Sequence, residues 1–324
     1  MILLMFKTNL LTYLDTIEEH GVVKMSRKRI FSVLFLMLFV LSTLVRAQTV
    51  TIQHSLGRAV VRKNPARVIV FDYGSLDTLE RLGIEIIGLP KSNLPAVFAK
   101  YNDNKYENVG TLFEPNFEKI YGLRPDLIIV SSRQAEVYKE LSRIAPTIYM
   151  EVAGSDYIGS VRKNARILGE IFGREDYIEG ELEKINRAAE ELKEKVKASG
   201  KNALIVMAND GSLSVYGAGS RFGVIHDEFG FIPVDRGIQV VNHGQSVSFE
   251  YILEQNPDYI FVIDRAAVTG GSISAKQMFE NELIKETAAY KNGNIVYLNS
   301  EIWYVASGGL SGTLTMIEDI ASAF

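Results

Sequence analysis

Two arginines, Arg133 and Arg265, hold the same place in a segment that the chain states twice. Asn116–Arg133 reads NFEKIYGLRPDLIIVSSR and Ser248–Arg265 reads SFEYILEQNPDYIFVIDR. Without a gap, Phe117, Glu118, Ile120, Pro125, Asp126, Ile128, Val130 and Arg133 recur as Phe249, Glu250, Ile252, Pro257, Asp258, Ile260, Val262 and Arg265. An arginine offers a planar fork of donors that suits the oxygens of an anion. Arg221, closing the turn Gly217-Ala218-Gly219-Ser220, supplies a third fork, and the three together could neutralise a trianionic ligand. His243, in Val240-Val241-Asn242-His243-Gly244-Gln245-Ser246, and Tyr304, in Ile302-Trp303-Tyr304, could add an imidazole nitrogen and a phenolate oxygen to a hard ion such as ferric iron. Taken one at a time, each has a plainer reading. A loop histidine is solvated, an aromatic pair belongs to a core, and a strand-terminal arginine solvates its loop.

Catalysis has no positive sign. The chain has no cysteine, and its four histidines are His20, His54, His226 and His243, so zinc spacings such as H-E-x-x-H do not occur. Gly217-Ala218-Gly219 lacks the further glycine and the strand context of a dinucleotide fingerprint. No phosphate loop and no G-x-S-x-G elbow is present. A net charge of −4, with no long basic run beyond the amino-terminal region, argues against nucleic acid. No intrinsic cofactor is expected.

The candidate residues need elements to carry them. Each copy of the repeat reads as a short amphipathic helix (Phe117, Ile120 and Leu123 in the first), a Pro-Asp turn that stops it, and an apolar run suited to a buried parallel strand. The arginine then falls near the strand's carboxyl end, where open α/β sheets bind ligands. Two facing lobes could therefore aim Arg133 and Arg265 into one cleft. Around the copies the pattern alternates between strand and helix. A hairpin through Val50, Ile52 and Gly57 precedes a strand at Arg67–Phe71, a helix at Asp72–Leu82 closed by Gly83, and a strand at Glu85–Leu89. Beyond a polar loop come the first copy, a helix near Gln134–Ala145 and a strand at Thr147–Met150.

Asp156–Ser199 predicts two helices parted at Gly173. In the second, Ile178, Leu182, Ile185, Ala189, Leu192 and Val196 form one apolar stripe, which suits a rigid connector or an ordinary lobe helix. Ala203–Met207 and Ser212–Tyr216 open the second lobe. The second copy, a helix near Ser274–Glu286, a strand at Ile295–Leu298 and a final helix from Gly312 complete it. The expected fold class is α/β, with two Rossmann-like lobes on central sheets. Their expected limits are 48–174 and 200–324, with a connecting helix at 175–199.

A length of 324 residues and 47% hydrophobic content are enough for a core in each lobe. Residues 1–47 read as an upstream extension followed by a signal peptide. Arg27, Lys28 and Arg29 precede an apolar run from Ile30 to Val45, and cleavage is expected after Ala47. Met25 is the expected start. With no cysteine there is no lipobox thiol, which suits a freely diffusing periplasmic protein.

From about Thr49 onward the chain resembles the class III substrate-binding proteins of bacterial iron-siderophore ABC importers. General signs are Arg67-Val68-Ile69-Val70 with its following helix, Gly110 ahead of Asn116-Phe117-Glu118-Lys119-Ile120, Pro125-Asp126-Leu127-Ile128, and Pro257-Asp258. Those signs are shared with haem and cobalamin binders. Val241-Asn242-His243-Gly244-Gln245 and Trp303-Tyr304 are similar to motifs of the catecholate branch, whose ligands are of the enterobactin and petrobactin type.

The resemblance implies that His243 and Tyr304 complete the octahedron of Fe3+ held by a tetradentate siderophore, and that Arg133, Arg221 and Arg265 face the catecholates. It implies a non-enzymatic, monomeric periplasmic protein with two lobes joined by one long helix. Glu118 and Glu250 match the glutamates with which family members dock on a permease dimer in the inner membrane. Alternatives are haem, cobalamin, hydroxamate or hexadentate catecholate as cargo and, from another class, a Rossmann-type enzyme acting on a phosphorylated substrate at Gly217–Gly219.

Overall fold

Short runs of β-branched residues, buried on both faces, build the first sheet. The computed structural model describes residues 48–92 and 94–324. The expected extension, the start at Met25, the signal run and the cleavage after Ala47 lie outside the described residues. Among the described residues, no helix is long and apolar enough to cross a membrane.

An antiparallel hairpin, β1 (Thr49–His54) and β2 (Gly57–Arg62), comes first and pairs Val50 with Val61. The first lobe follows with β3 (Val68–Val70), α1 (Tyr73–Arg81), β4 (Gly88–Leu89), β5 (Glu107–Asn108), α2 (Phe117–Leu123), β6 (Leu127–Val130), α3 (Tyr138–Ser142), β7 (Thr147–Tyr149) and α4 (Tyr157–Phe172). Its sheet runs β5-β4-β3-β6-β7 and every pairing is parallel. Residues of β3, β6 and β7 are all buried, as a sheet covered on both faces requires.

α5 (Glu175–Ser199) leads to the second lobe: β8 (Asn202–Asn209), β9 (Ser212–Tyr216), α6 (Val224–Asp227), β10 (Ile232–Pro233), β11 (Gln245–Val247), α7 (Phe249–Gln255) and β12 (Tyr259–Asp264). After these come α8 (Arg265–Thr269), α9 (Ala275–Phe279), α10 (Glu282–Lys285), α11 (Ala288–Lys291), β13 (Ile295–Tyr297), α12 (Ser300–Val305) and α13 (Leu310–Ala321). The strand order is β11-β9-β8-β12-β13, with β10 beside the start of β8. Here β9 is antiparallel to β8, and β11 to β9. The cause is local: Asp210 and Gly211 have φ of 48° and 93°, the pair of positive values that a tight two-residue hairpin needs.

The duplication is visible in the local chemistry. Asn116 and Ser248 cap the two repeat helices, on Lys119 N and Tyr251 N. Arg124 and Asn256 end those helices in the left-handed region, at φ 46° and 43°, so the stop precedes the Pro-Asp pair. The aspartates tie strands together. Asp126 accepts from the backbone of Ala66 and Arg67 ahead of β3, and Asp258 accepts from Asn202 N and Lys201 Nζ at the start of β8.

Some expected elements differ in extent. The strand expected at Glu85–Leu89 shrinks to Gly88–Leu89. The helix expected at Gln134–Ala145 becomes a 3₁₀ turn, Ser132–Gln134, followed by α3. The one expected at Ser274–Glu286 divides where Asn281 caps a new helix on Leu283 N. The last helix begins at Leu310, earlier than Gly312.

The expected stripe of α5 is buried at Ile178, Leu182, Ile185, Leu192 and Val196, while Ala189 is only partly so. Full burial of such side chains stabilises by about 1.5–3 kcal/mol each. Glu181 lies in the same stripe, 4% exposed, held by Arg81 and Lys184. Burial alone would raise its pKa, but the hydrogen bonds from Lys184 and Arg81 hold it below the usual carboxylate range.

α5 is not the sole tie between the lobes. α13 packs against α5, α1 and α4. Asp77 on α1 accepts from Ser311 N (2.7 Å) and Gly312 N (3.0 Å), filling orphan donors in the first turn of α13. In return Glu228, just after α6, accepts from Tyr157 N and Ile158 N in the first turn of α4. Burial raises the pKa of both carboxyls. The Ser307-Gly308-Gly309 backbone passes so close to α1 that any side chain at Gly74 would strike the Ser307 carbonyl.

Candidate functional site

Three guanidinium groups converge on one tyrosine. Tyr304 sits inside α12 and is fixed there by its neighbour. Trp303 is fully buried, and its Nε1 donates to Asp319 of α13 at 2.9 Å. The Tyr304 carbonyl lies in the last turn of α12, where a helix leaves acceptors without internal partners. Arg133 and Arg221 both donate an Nη2 hydrogen to it, at 3.1 Å and 2.8 Å. Arg265 reaches the other end of the residue, its Nε donating to the Tyr304 hydroxyl at 2.7 Å. The guanidinium carbons of Arg221 and Arg265 lie 5.0 and 5.6 Å from the Tyr304 ring centroid, within cation–π range.

Each arginine is carried by a stiff mount. Arg133 belongs to the 3₁₀ turn after β6, which Ser131 and the buried Gln134 close with a reciprocal capping box. Gln134 also donates to the Leu112 carbonyl, tying the turn to the neighbouring loop. Arg265 opens α8 directly after β12, and Asp264 caps that helix on Ala267 N while accepting from Ala275 N at 2.7 Å. Arg221 follows the glycine turn after β9 and lies 4.6 Å from the ring centroid of Phe222, itself packed edge-on against Tyr216.

None of the three arginines has a carboxylate within salt-bridge distance among the described residues. Asp72, whose interaction with Arg133 is felt through space, is occupied by Ser75 N and Oγ at 2.8 and 2.6 Å. Burial pushes its carboxyl upward, with those hydrogen bonds opposing. Arg221 remains solvent-exposed, yet crowding by protein atoms and then the charge of Arg133 press its pKa down. A guanidinium stays protonated at any ordinary pH, so the cluster carries three positive charges with no carboxylate in direct contact among the described residues.

His243 is not part of that cluster. It is exposed, in a turn closed by Gly244 N donating to the Val241 carbonyl, and it makes no hydrogen bond among the described residues. Its neighbour Gly244, at φ 74°, packs on the Tyr216 ring, where a side chain would collide. Tyr216 touches Phe222, which lies under Arg221. The turn thus borders the arginine cluster through a chain of aromatic contacts. Glu118 and Glu250 are exposed in the first turns of α2 and α7, the matching places of the two copies.

Gly217–Gly219 offers no phosphate cradle. Gly219 N already donates to the Asp227 carboxylate at 2.6 Å, and a second anion there would be repelled. One supporting residue escaped the sequence reading. Asn209, the last residue of β8, accepts from Arg265 Nη1 at 2.8 Å. Its signal was the Asp210-Gly211 hairpin pair, which ends a strand at the ligand edge of the sheet.

Comparison with known proteins agrees with this fold. The family described as periplasmic binding protein matches residues 68–302. The petrobactin-binding protein YclQ of Bacillus subtilis is 46% identical over 279 residues, 85% of this chain and 88% of the relative. Its crystal structure superposes with a TM-score of 0.83, covering 98% of that chain. The ferric-anguibactin-binding protein FatB of Vibrio anguillarum is 32% identical over 282 residues, covering 85% of this chain and 87% of the relative. The periplasmic catecholate-siderophore binding protein VctP of Vibrio cholerae is 39% identical, with a TM-score of 0.81 and coverage of 85% and 100%.

Proposed function

This chain belongs to the periplasmic binding protein family, and from that premise we propose that it captures a ferric catecholate siderophore outside the cytoplasm and delivers it to the permease of an ABC importer. The observation that carries the reading is the set of three unpaired arginines around Tyr304. Such a cluster repels itself, and a polyanion relieves it. A ferric catecholate supplies both the negative charge and the planar oxygen pairs that a guanidinium fork fits. The relatives support a siderophore as cargo: YclQ is a petrobactin-binding, FatB a ferric-anguibactin-binding and VctP a catecholate-siderophore binding protein.

In this reading the protein is a carrier and performs no chemistry on its cargo. Tyr304 and His243 supply the two donors that a tetradentate siderophore leaves open on Fe3+, the histidine turn swinging in from the border of the cluster. The lobes span 48–174 and 200–324 about the helix at 175–199, and the protein acts as a periplasmic monomer released from its signal after Ala47.

Fluorescence-quenching titration with ferric tetradentate and hexadentate catecholates, a ferric hydroxamate and haem tests the cargo. The tetradentate complex should bind most tightly, and a hydroxamate bound far more tightly than any catecholate complex would end the reading. We assign Glu118 and Glu250 to permease docking. Glu118→Ala combined with Glu250→Ala should abolish uptake while leaving ligand affinity intact. Unchanged uptake would return both residues to ordinary solvated helix positions.

A further inference from the structure

We propose that Asn209 is a positioning residue for ligand capture, acting through Arg265. The inference rests on the siderophore reading above and adds to it a group that touches no ligand.

Arg265 is held at two points of its guanidinium plane. Nε donates to the Tyr304 hydroxyl at 2.7 Å and Nη1 donates to Asn209 Oδ1 at 2.8 Å. Two fixed contacts on a planar group define the plane and leave rotation about neither bond free. The other hydrogen on Nη1 and both on Nη2 make no hydrogen bond among the described residues, so the mount leaves an edge of the fork uncommitted. An acceptor on the opposite side is what keeps the Nε edge on the tyrosine. Without it the side chain regains the rotamers that a long arginine otherwise samples.

Asn209 is suited to the role because its own backbone cannot drift. It closes β8, pairs with Ser212 of β9 across the Asp210-Gly211 turn, and is followed by Asp210. The Asp210 carboxylate accepts from Ser272 N, Ser272 Oγ and Ile273 N at 2.9–3.0 Å. That clamp joins the hairpin to the loop after α8, the helix that Arg265 opens. Donor and acceptor therefore ride on two elements locked to each other. A neutral amide oxygen also fits the task better than a carboxylate. It orients the guanidinium and leaves its charge for the ligand.

A double-mutant cycle tests this, read by quenching affinity and by the ligand-to-metal absorption band of the bound ferric complex of a linear bis-catecholamide. Asn209→Ala should weaken binding about tenfold, the loss of one hydrogen bond to a charged group, and should shift the band. In an Arg265→Ala background the same change should do nothing further. Asn209→Leu, closer in size, carries the same expectation should the smaller side chain loosen the turn. Equal losses in both backgrounds, or no loss in either, would overturn the assignment while leaving the siderophore reading in place. A wild-type protein that binds no ferric catecholate would overturn both.

Discussion

At the scale of single residues, the site separates two kinds of contact to one side chain. Arg133 and Arg221 hold the backbone carbonyl of Tyr304, whereas Arg265 holds its hydroxyl. Tyr304→Phe should therefore leave two arginines seated and, with Tyr304 the proposed iron donor, change the absorption band of the bound complex. Arg133→Ala should weaken binding by roughly tenfold through lost charge, with the salt dependence reduced and the band unmoved. Absorption titration of both variants distinguishes these outcomes. The duplication made Arg133 and Arg265 legible, because equal offsets in two copies imply equal places in two sheets. Their meeting point was not legible. A backbone carbonyl has no residue letter, although Tyr304 itself already stands among the candidate ligands.

At the scale of elements, the repeat showed where helices and strands would fall but not how they are tied. Asp126 and Asp258 read as turn formers, while in the fold they bridge to the neighbouring strand. Such a contact links positions about sixty residues apart, a separation that periodicity cannot express. The same holds for the two exchanged caps, Asp77 on α13 and Glu228 on α4. Each is one side chain serving a helix elsewhere in the chain. Asp77→Ala should cost about 1–2 kcal/mol, the range for losing a helix cap. Asp77→Asn, which keeps an acceptor, should cost less, and urea unfolding of the two variants provides the comparison.

At the scale of the whole molecule, two α/β lobes with a long helix were readable from alternation and from the stripe of α5. The antiparallel edge of the second sheet was not, although the Asp210-Gly211 pair announces a hairpin. Glu181 shows why one-face patterns mislead, since a charge sits among apolar neighbours because Arg81 and Lys184 reach it. Its carboxyl is held low, so in the unfolded chain it takes up a proton more readily than in the native state. The stability it confers is present above its unfolded-state value, near 4.3, and is lost as pH falls through the lower native value. Glu181→Gln should flatten the fall in urea midpoint between about pH 5 and 3. An unchanged slope would show that other carboxyls govern acid sensitivity.

The seating of α13 has a consequence for the order in which the chain is made. Polypeptides are synthesised from the amino end, and early domains ordinarily fold first. Here Leu310–Ala321 covers α1, α4 and α5, and Asp77 awaits the amides of Ser311 and Gly312. The first lobe is left with an uncovered apolar face and an unused cap until more than three hundred residues have been joined. The native packing of the first lobe is thereby postponed until the carboxyl-terminal helix has been made.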